Sequence, residues 1–282
     1  MPFQIEFHET LDSTNLAARR AVQTGAAKNG QVIVANSQTA GRGRLGRVWE
    51  SPPRKNLTFS IVLGTGFSAA WPSELTIVTA CSVVRSLSGL SQLNLRVRWP
   101  NDIFGHNHKV AGILLELVNR SFESGGTTRC RPAALLPPDN PLARPGEARS
   151  LLASTIIIGI GINVNSEPKD FSPELRDHAT SLRMLAGKSF DKIEILNVVL
   201  RAIEADLQRY AASGLQPFVA EWMQATDLHG CQLRVEENDR DLNGEFAGLD
   251  PHGALLIRKN GKLETVVAGD VRKVRKLDAD RD

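Results

Sequence analysis

Cysteine is scarce and scattered in this 282-residue sequence: Cys81, Cys130 and Cys231 form no C-x-x-C pair. That spacing argues against a zinc knuckle or a disulfide framework and fits a reducing compartment. The N-terminus, MPFQIEFHETLDSTN, has no basic segment followed by an apolar run, and no stretch approaches the ~18 consecutive apolar residues of a membrane span. A soluble cytoplasmic protein is expected. Charge of one sign is lacking too, since a net charge of +3 gives no support to a general nucleic-acid or membrane-surface role. Neither partner is expected. His106 and His108 flank a loop tip with no third ligand in view, so no side chains are assigned to a metal. No Ser-His-Asp or Cys-His arrangement is visible either. With 41% hydrophobic residues the chain can bury one large core and carry a small appendage.

What is present is concentrated in one loop. Gly41 to Arg47 reads GRGRLGR, with Gln38 before it and Trp49 after it. Three arginines interleaved with three glycines suit an anion: glycine lets the backbone approach a ligand, and arginine is a forked, permanently charged donor for phosphate or carboxylate. The letters also satisfy G-x-G-x-x-G, but the dinucleotide reading fails on context. Polar Ser37-Gln38-Thr39 separates the loop from the strand-like run at 31–36, and Trp49-Glu50-Ser51-Pro52-Pro53 cannot open a helix.

The rest of the chain supplies companions for that loop. Residues 3–7 alternate like a short strand, and Asp12, Ser13 and Thr14 precede a helical composition, where capping is their ordinary use. Residues 56–63 read as a buried strand, a helix is expected from Trp71-Pro72-Ser73-Glu74, and 95–99 reads as a strand that Pro100 ends. Asn101 and Asp102 are at home in a turn, whereas Lys109 opens an apolar strand and points its head at whatever lies there. Gly112 permits close approach to that strand. Residues 119–153 lose all periodicity and read as a mobile surface insertion. TIIIGIGINVN at 155–165 restores a buried strand, whose Asn163 carries both a donor and an acceptor for a base edge. An amphipathic helix at 193–210 and a further one at 221–228 follow, and beyond Gly230 short strands and tight turns make a small all-β appendage.

Together, STN at 13–15, QTAGRGRLGRVW at 38–49, RVRWPNDI at 96–103, KVAGILLEL at 109–117 and GIGINVN at 159–165 resemble the biotin protein ligases in order and spacing. The resemblance implies an α/β (α+β) fold: a mixed sheet flanked by helices, like class II aminoacyl-tRNA synthetases, with a C-terminal SH3-like β-barrel. It implies a catalytic domain at 1–228, with the insertion inside it, and a small domain at 229–282. The motifs begin at residue 13, so the DNA-binding domain of the bifunctional repressor members is not expected.

Carried over by position, Ser13, Thr14, Asn15 and Gln38 would hold the ureido ring of biotin, and Gly41, Arg42, Gly43 and Arg44 would close over biotin and its adenylate. Lys109 would meet the carboxylate and α-phosphate, with Gly112 beside the ligand. Arg44, Arg47, Trp49, Asn101 and Asn163 would surround ATP, and Arg44, Arg47 and Lys109 would carry catalysis with Mg²⁺ on the phosphates. The implied acceptor is a biotin carboxyl carrier protein or carboxylase domain, with a homodimer left open. Arg98 stands where many relatives have lysine, a change expected to be tolerated if the side chain lies at the surface. Two alternatives remain at this point: a lipoate- or octanoate-transferring relative of the same fold, and a non-catalytic biotin-binding module.

Overall fold

The computed structural model describes residues 2–64, 72–119, 154–237, 240–267 and 269–274. The expected insertion, apart from its first residue, and Trp71 lie outside them. Seven strands build the larger sheet: β1 (Gln4–Leu11), β2 (Gln31–Gln38), β3 (Leu57–Leu63), β4 (Arg96–Arg98), β5 (Asp102–Gly105), β6 (His108–Asn119) and β7 (Ser154–Ile162). Their order is β1-β2-β3-β7-β6-β5-β4. Helix α1 (Thr14–Gln23) connects β1 to its parallel neighbour β2, and every other neighbouring pair is antiparallel. The sheet is therefore mixed, as expected.

All seven residues of β3 are buried, Thr58 and Ser60 included, because both faces of the sheet are covered there, and the same cover explains the isoleucine run of β7. One face packs on α2 (Pro72–Ser91), which in turn packs on α3 (Lys192–Ser213) through Ile195, Val199, Ile203 and Leu207. Asp191 caps α3 by accepting the Ile193 N–H at 2.8 Å, and Gly214 ends it with φ 67°. The opposite face packs on α1 through Ala18, Val22, Ile33, Val62 and Ile157. The helix expected at 221–228 runs instead from Gln216 to Ala225 as α4, with Pro217 in its first turn. Proline lacks only an N–H that the first turn leaves unpaired anyway, so it starts this helix instead of preceding it.

The C-terminal strands β8 (Gln232–Glu237), β9 (Arg240–Leu249), β10 (Leu255–Lys259), β11 (Lys262–Val266) and β12 (Asp270–Val274) form a second, antiparallel sheet. Its β9–β10 turn docks on the first unit. Trp99 Nε1 donates to the Gly253 carbonyl at 3.0 Å, and His252 Nδ1 lies 3.1 Å from the buried Glu74. Tyr210 also donates to Glu74, and burial together with that bond pushes the phenol well above its ordinary pKa. Arg98 does not meet the condition of a surface position: it is only 15% exposed, in a bidentate pair with Asp227 and 4.0 Å from the Phe104 ring centroid. A guanidinium fits that fork and that ring, where a lysine could not supply both contacts.

Candidate active site

Strand register lays down a trench on the α1 face, floored by small residues of β3 and β7 with Gly112 of β6 and walled by Leu114. Ser60, Gly159 and Leu114 lie side by side across β3, β7 and β6, and the next row is Thr58, Gly161 and Gly112. The row on the other side, Val62, Ile157 and Glu116, is large. A Cβ on Gly159 would lie 2.1 Å from Asn15 Oδ1, and one on Gly161 would lie 2.4 Å from the Trp49 ring. The glycines thus allow side chains, and by extension a ligand, to sit directly on the sheet backbone.

The start of α1 lines the first row. Ser13, Thr14 and Asn15 are all buried although none is apolar. Ser13 occupies the N-cap position, but its side chain makes no capping bond, a departure from the ordinary reading of that residue. The N–H of Thr14, the first helical residue, donates to Gln38 Oε1 at 2.8 Å, which fixes β2 against the helix start. Ser60 Oγ sits 2.7 Å from Thr14 Oγ1 and 2.6 Å from Asn15 Oδ1. Asp12 is clamped by Arg20 at 2.6 and 2.9 Å; this pair, with the Ser13 N–H, lowers its pKa to about 2.

Cations and an indole line the second row. Lys109 Nζ is 5.7 Å from the Trp49 ring centroid, pairs with Asp102 at 2.7 Å, and would be 3.2 Å from a Cβ on Gly112. Trp49 Nε1 is buried with no hydrogen-bond partner. The arginine loop is a small hairpin: Arg42 bridges Val48, Gly43 N–H donates to Arg47 O at 2.8 Å, and Trp49 N–H to Gly41 O at 3.0 Å. Leu45 and Gly46 turn it with φ 53° and 75°. Arg44 Nη1 reaches Asn101 Oδ1 at 3.3 Å and the Gly269 carbonyl of the second sheet at 3.4 Å. Asn101 is held in turn by donating to Ile113 O at 2.6 Å. A cavity of about 240 Å³ opens beside them, lined by Arg19, Arg44, Trp99, Asn101, Glu116 and Val267 among others.

Most of the expected residues therefore converge. Ser13, Thr14, Asn15 and Gln38 form one cluster; Lys109, Gly112 and Trp49 form another; Arg44 and Asn101 join across the cavity. Arg47 is exposed at the loop and Arg42 turns to Glu116. Asn163 lies on the β7 face after Gly161, but its Oδ1 accepts from Asn56 Nδ2 at 3.1 Å. Ser60, Asn56, Asp102 and Glu116 were not assigned from sequence; only strand register, which pairs Ser60 with Gly159, would have pointed to the first. A larger groove of about 310 Å³ between α2 and α4 is not a rival site. Its Arg85 is paired with Asp206 and Glu221, and burial pushes its Cys81 thiol up to about 12.

A mixed sheet bearing a narrow trench, polar at one end and cationic at the other, followed by a small antiparallel sheet, suits the class of enzymes that join a carboxylic-acid cofactor to protein. A sequence model of the biotin/lipoate A/B protein ligase family matches residues 7–131, and one of the biotin protein ligase C-terminal domain matches 229–274. The chain belongs to the biotin protein ligase family. It is 29% identical over 265 residues to the bifunctional ligase/repressor BirA of Bacillus subtilis, covering 94% of this chain and 72% of that one. It is 27% identical to the biotin--[acetyl-CoA-carboxylase] ligase of Mycobacterium tuberculosis, covering 96% and 90%. The structure of biotin protein ligase from Aquifex aeolicus in complex with biotin and ATP superposes with a TM-score of 0.76 at 25% identity, covering 96% and 99%.

Proposed function

We propose that this protein activates biotin with ATP to biotinoyl-5'-AMP and transfers biotin to a lysine of a biotin carboxyl carrier protein. The observation that carries the reading is the trench: it is too narrow for side chains on β7, buried-polar at Asn15 and cationic at Lys109. A ring that presents N–H and C=O groups belongs at the first end, and an acyl carboxylate at the second. The division into a catalytic unit at 1–228 and a small domain at 229–282 is part of the same reading.

In the first half-reaction a carboxylate oxygen attacks the α-phosphorus, the bond to the β-phosphate oxygen breaks, and pyrophosphate leaves. Two anions meet in that step, so cations already in place lower its barrier. Lys109 exchanges Asp102 for the carboxylate and α-phosphate. Arg44, set by Asn101 and the Gly269 carbonyl, faces the phosphates, and Arg47 joins them as the loop closes. Trp49 and Asn163 flank the base. No group of three or more His, Cys, Asp or Glu suited to a metal occurs among the described residues. Asp102 is the side chain that would share Mg²⁺ with the phosphate oxygens, a donor set that suits this ion. Bound there, Mg²⁺ would neutralise phosphate charge. In the second half-reaction the acceptor lysine, as the free amine, attacks the acyl carbon, the bond to AMP breaks, and the amine proton is lost.

The test is incubation of the purified protein with biotin, ATP, Mg²⁺ and an apo carrier domain. Biotin on the carrier lysine is expected. Attachment of lipoate in its place would overturn the reading, and biotin binding without transfer would favour a binding module. No helix among the described residues is long and apolar enough to cross a membrane.

A further inference from the structure

One charged residue of the trench wall has no part in the scheme above. Glu116 stands on β6 in the row next to Gly159, and its side chain is only 12% exposed. Its Oε2 accepts from Asn15 Nδ2 at 2.9 Å. Its Oε1 accepts from Arg19 at 2.7 Å and from Arg42 of the arginine loop at 3.3 Å. A carboxylate paired with two guanidinium groups only accepts, so it dictates which way its partners turn. The amide of Asn15 has its nitrogen facing Glu116 and the Leu114 carbonyl, the latter at 3.4 Å, and its oxygen facing Ser60 and the floor at Gly159. The trench is thereby given an acceptor at this point, which suits a ligand N–H and rejects a ligand carbonyl.

We propose that Glu116 is a positioning residue for biotin recognition: through its two oxygens it fixes the polarity of Asn15 and holds Arg42 of the loop beside it. The inference rests on the trench being the biotin site. It makes a directional claim that a merely stabilising ion pair would not make. In Glu116→Gln, the glutamine carbonyl turns to the two guanidinium groups, because an NH₂ facing them would oppose two cations with donors. Its NH₂ then faces Asn15, which must flip and point its own NH₂ into the trench. A second change repairs this. Asn15→Asp has only acceptor oxygens, so Asn15→Asp combined with Glu116→Gln again offers an acceptor to the ligand while the new glutamine donates to it.

The experiment measures pyrophosphate release in the presence of saturating apo carrier, against biotin and against ATP, for the wild-type protein, Glu116→Gln, Asn15→Asp and the double variant, with thermal unfolding of each. Wild-type turnover tests the ligase reading by itself. Given that turnover, Glu116→Gln should raise KM for biotin by at least about tenfold, the worth of one charge-assisted hydrogen bond, with KM for ATP within twofold. The double variant should recover most of the biotin KM. Asn15→Asp alone, which sets two carboxylates against each other, should be as impaired as Glu116→Gln or worse. An unchanged biotin KM in Glu116→Gln, an equal rise for biotin and ATP, or a double variant no better than the single ones would overturn the proposal.

Discussion

Replacing Gly159 with alanine should weaken biotin binding far more than ATP binding. The new methyl carbon would lie 2.1 Å from Asn15 Oδ1 and 2.8 Å from its Cγ. Ordinary contacts start near 3.4 Å, so the amide must move by about 1.3 Å or the strand must yield. Asn15 cannot move freely, because Ser60 and Glu116 hold it at 2.6 and 2.9 Å. A displacement of that size breaks hydrogen-bond geometry on both sides, at about 1 kcal/mol for the neutral partner and somewhat more for the charged one. The bound ring loses its acceptor and meets a methyl on the trench floor. The two broken internal bonds lower the unfolding temperature, while the ring's lost acceptor and its clash with the methyl together cost roughly 2 kcal/mol of biotin affinity, about thirtyfold in KM. The assay is pyrophosphate release with biotin varied at saturating ATP, then the reverse, alongside thermal unfolding. A biotin KM within twofold of the unsubstituted protein would refute the placement of the ring against Gly159.

Gly161→Ala should show the opposite bias, because its methyl would strike the Trp49 indole at 2.4 Å; KM for ATP should rise and KM for biotin should move less, measured in the same assay. Lys109→Ala and Arg44→Ala should each slow adenylate formation about 10²- to 10³-fold, read by single-turnover pyrophosphate release; near-normal rates in both would discard the assigned roles. Cys81, whose thiol is pushed up to about 12 by burial, should resist a soluble alkylating reagent at pH 8 in the folded protein, as read by mass spectrometry of its peptide, and react on denaturation. The Asp12–Arg20 clamp has a folded carboxyl pKa of about 2 against an ordinary 3.8. Its contribution is therefore complete above pH 3.8 and disappears as pH falls through 2. The pair is solvent-exposed and the effect small; an NMR titration of the Asp12 carboxyl with a midpoint near 4 would show that the clamp is absent in solution.

Local signals in the sequence marked out most elements. Apolar runs located β3 and β7, helical spacing located α2 and α3, and the turn dipeptides of the last fifty residues announced a small β unit. The start of α4 was misread because proline looks like a breaker until one knows that it sits in a first turn. The short helices Pro173–Arg176 and Leu182–Ala186 carry too little periodicity to be seen. In the site, the glycines and the arginine loop could be read from spacing alone. The partners that orient them could not: Glu116 meets Arg42, Arg19 and Asn15 across 74 to 101 residues of chain, and only the packing of α1 and the arginine loop over β6 brings them together. Ser13 illustrates the converse. A local rule assigns it to capping, but tertiary structure gives the neighbouring N–H to Gln38.

On the proposed function, the trench and its cations join biotin to the α-phosphate of ATP. The most direct measurement is to incubate the protein with biotin, Mg²⁺ and ATP labelled at the α-phosphate, analyse the retained nucleotide, and then add apo carrier. Biotinoyl-AMP should accumulate on the protein with release of unlabelled pyrophosphate, and carrier should discharge it as AMP while gaining biotin. Label recovered as ADP, or no adenylate formed from biotin under conditions where lipoate forms one, would contradict the account.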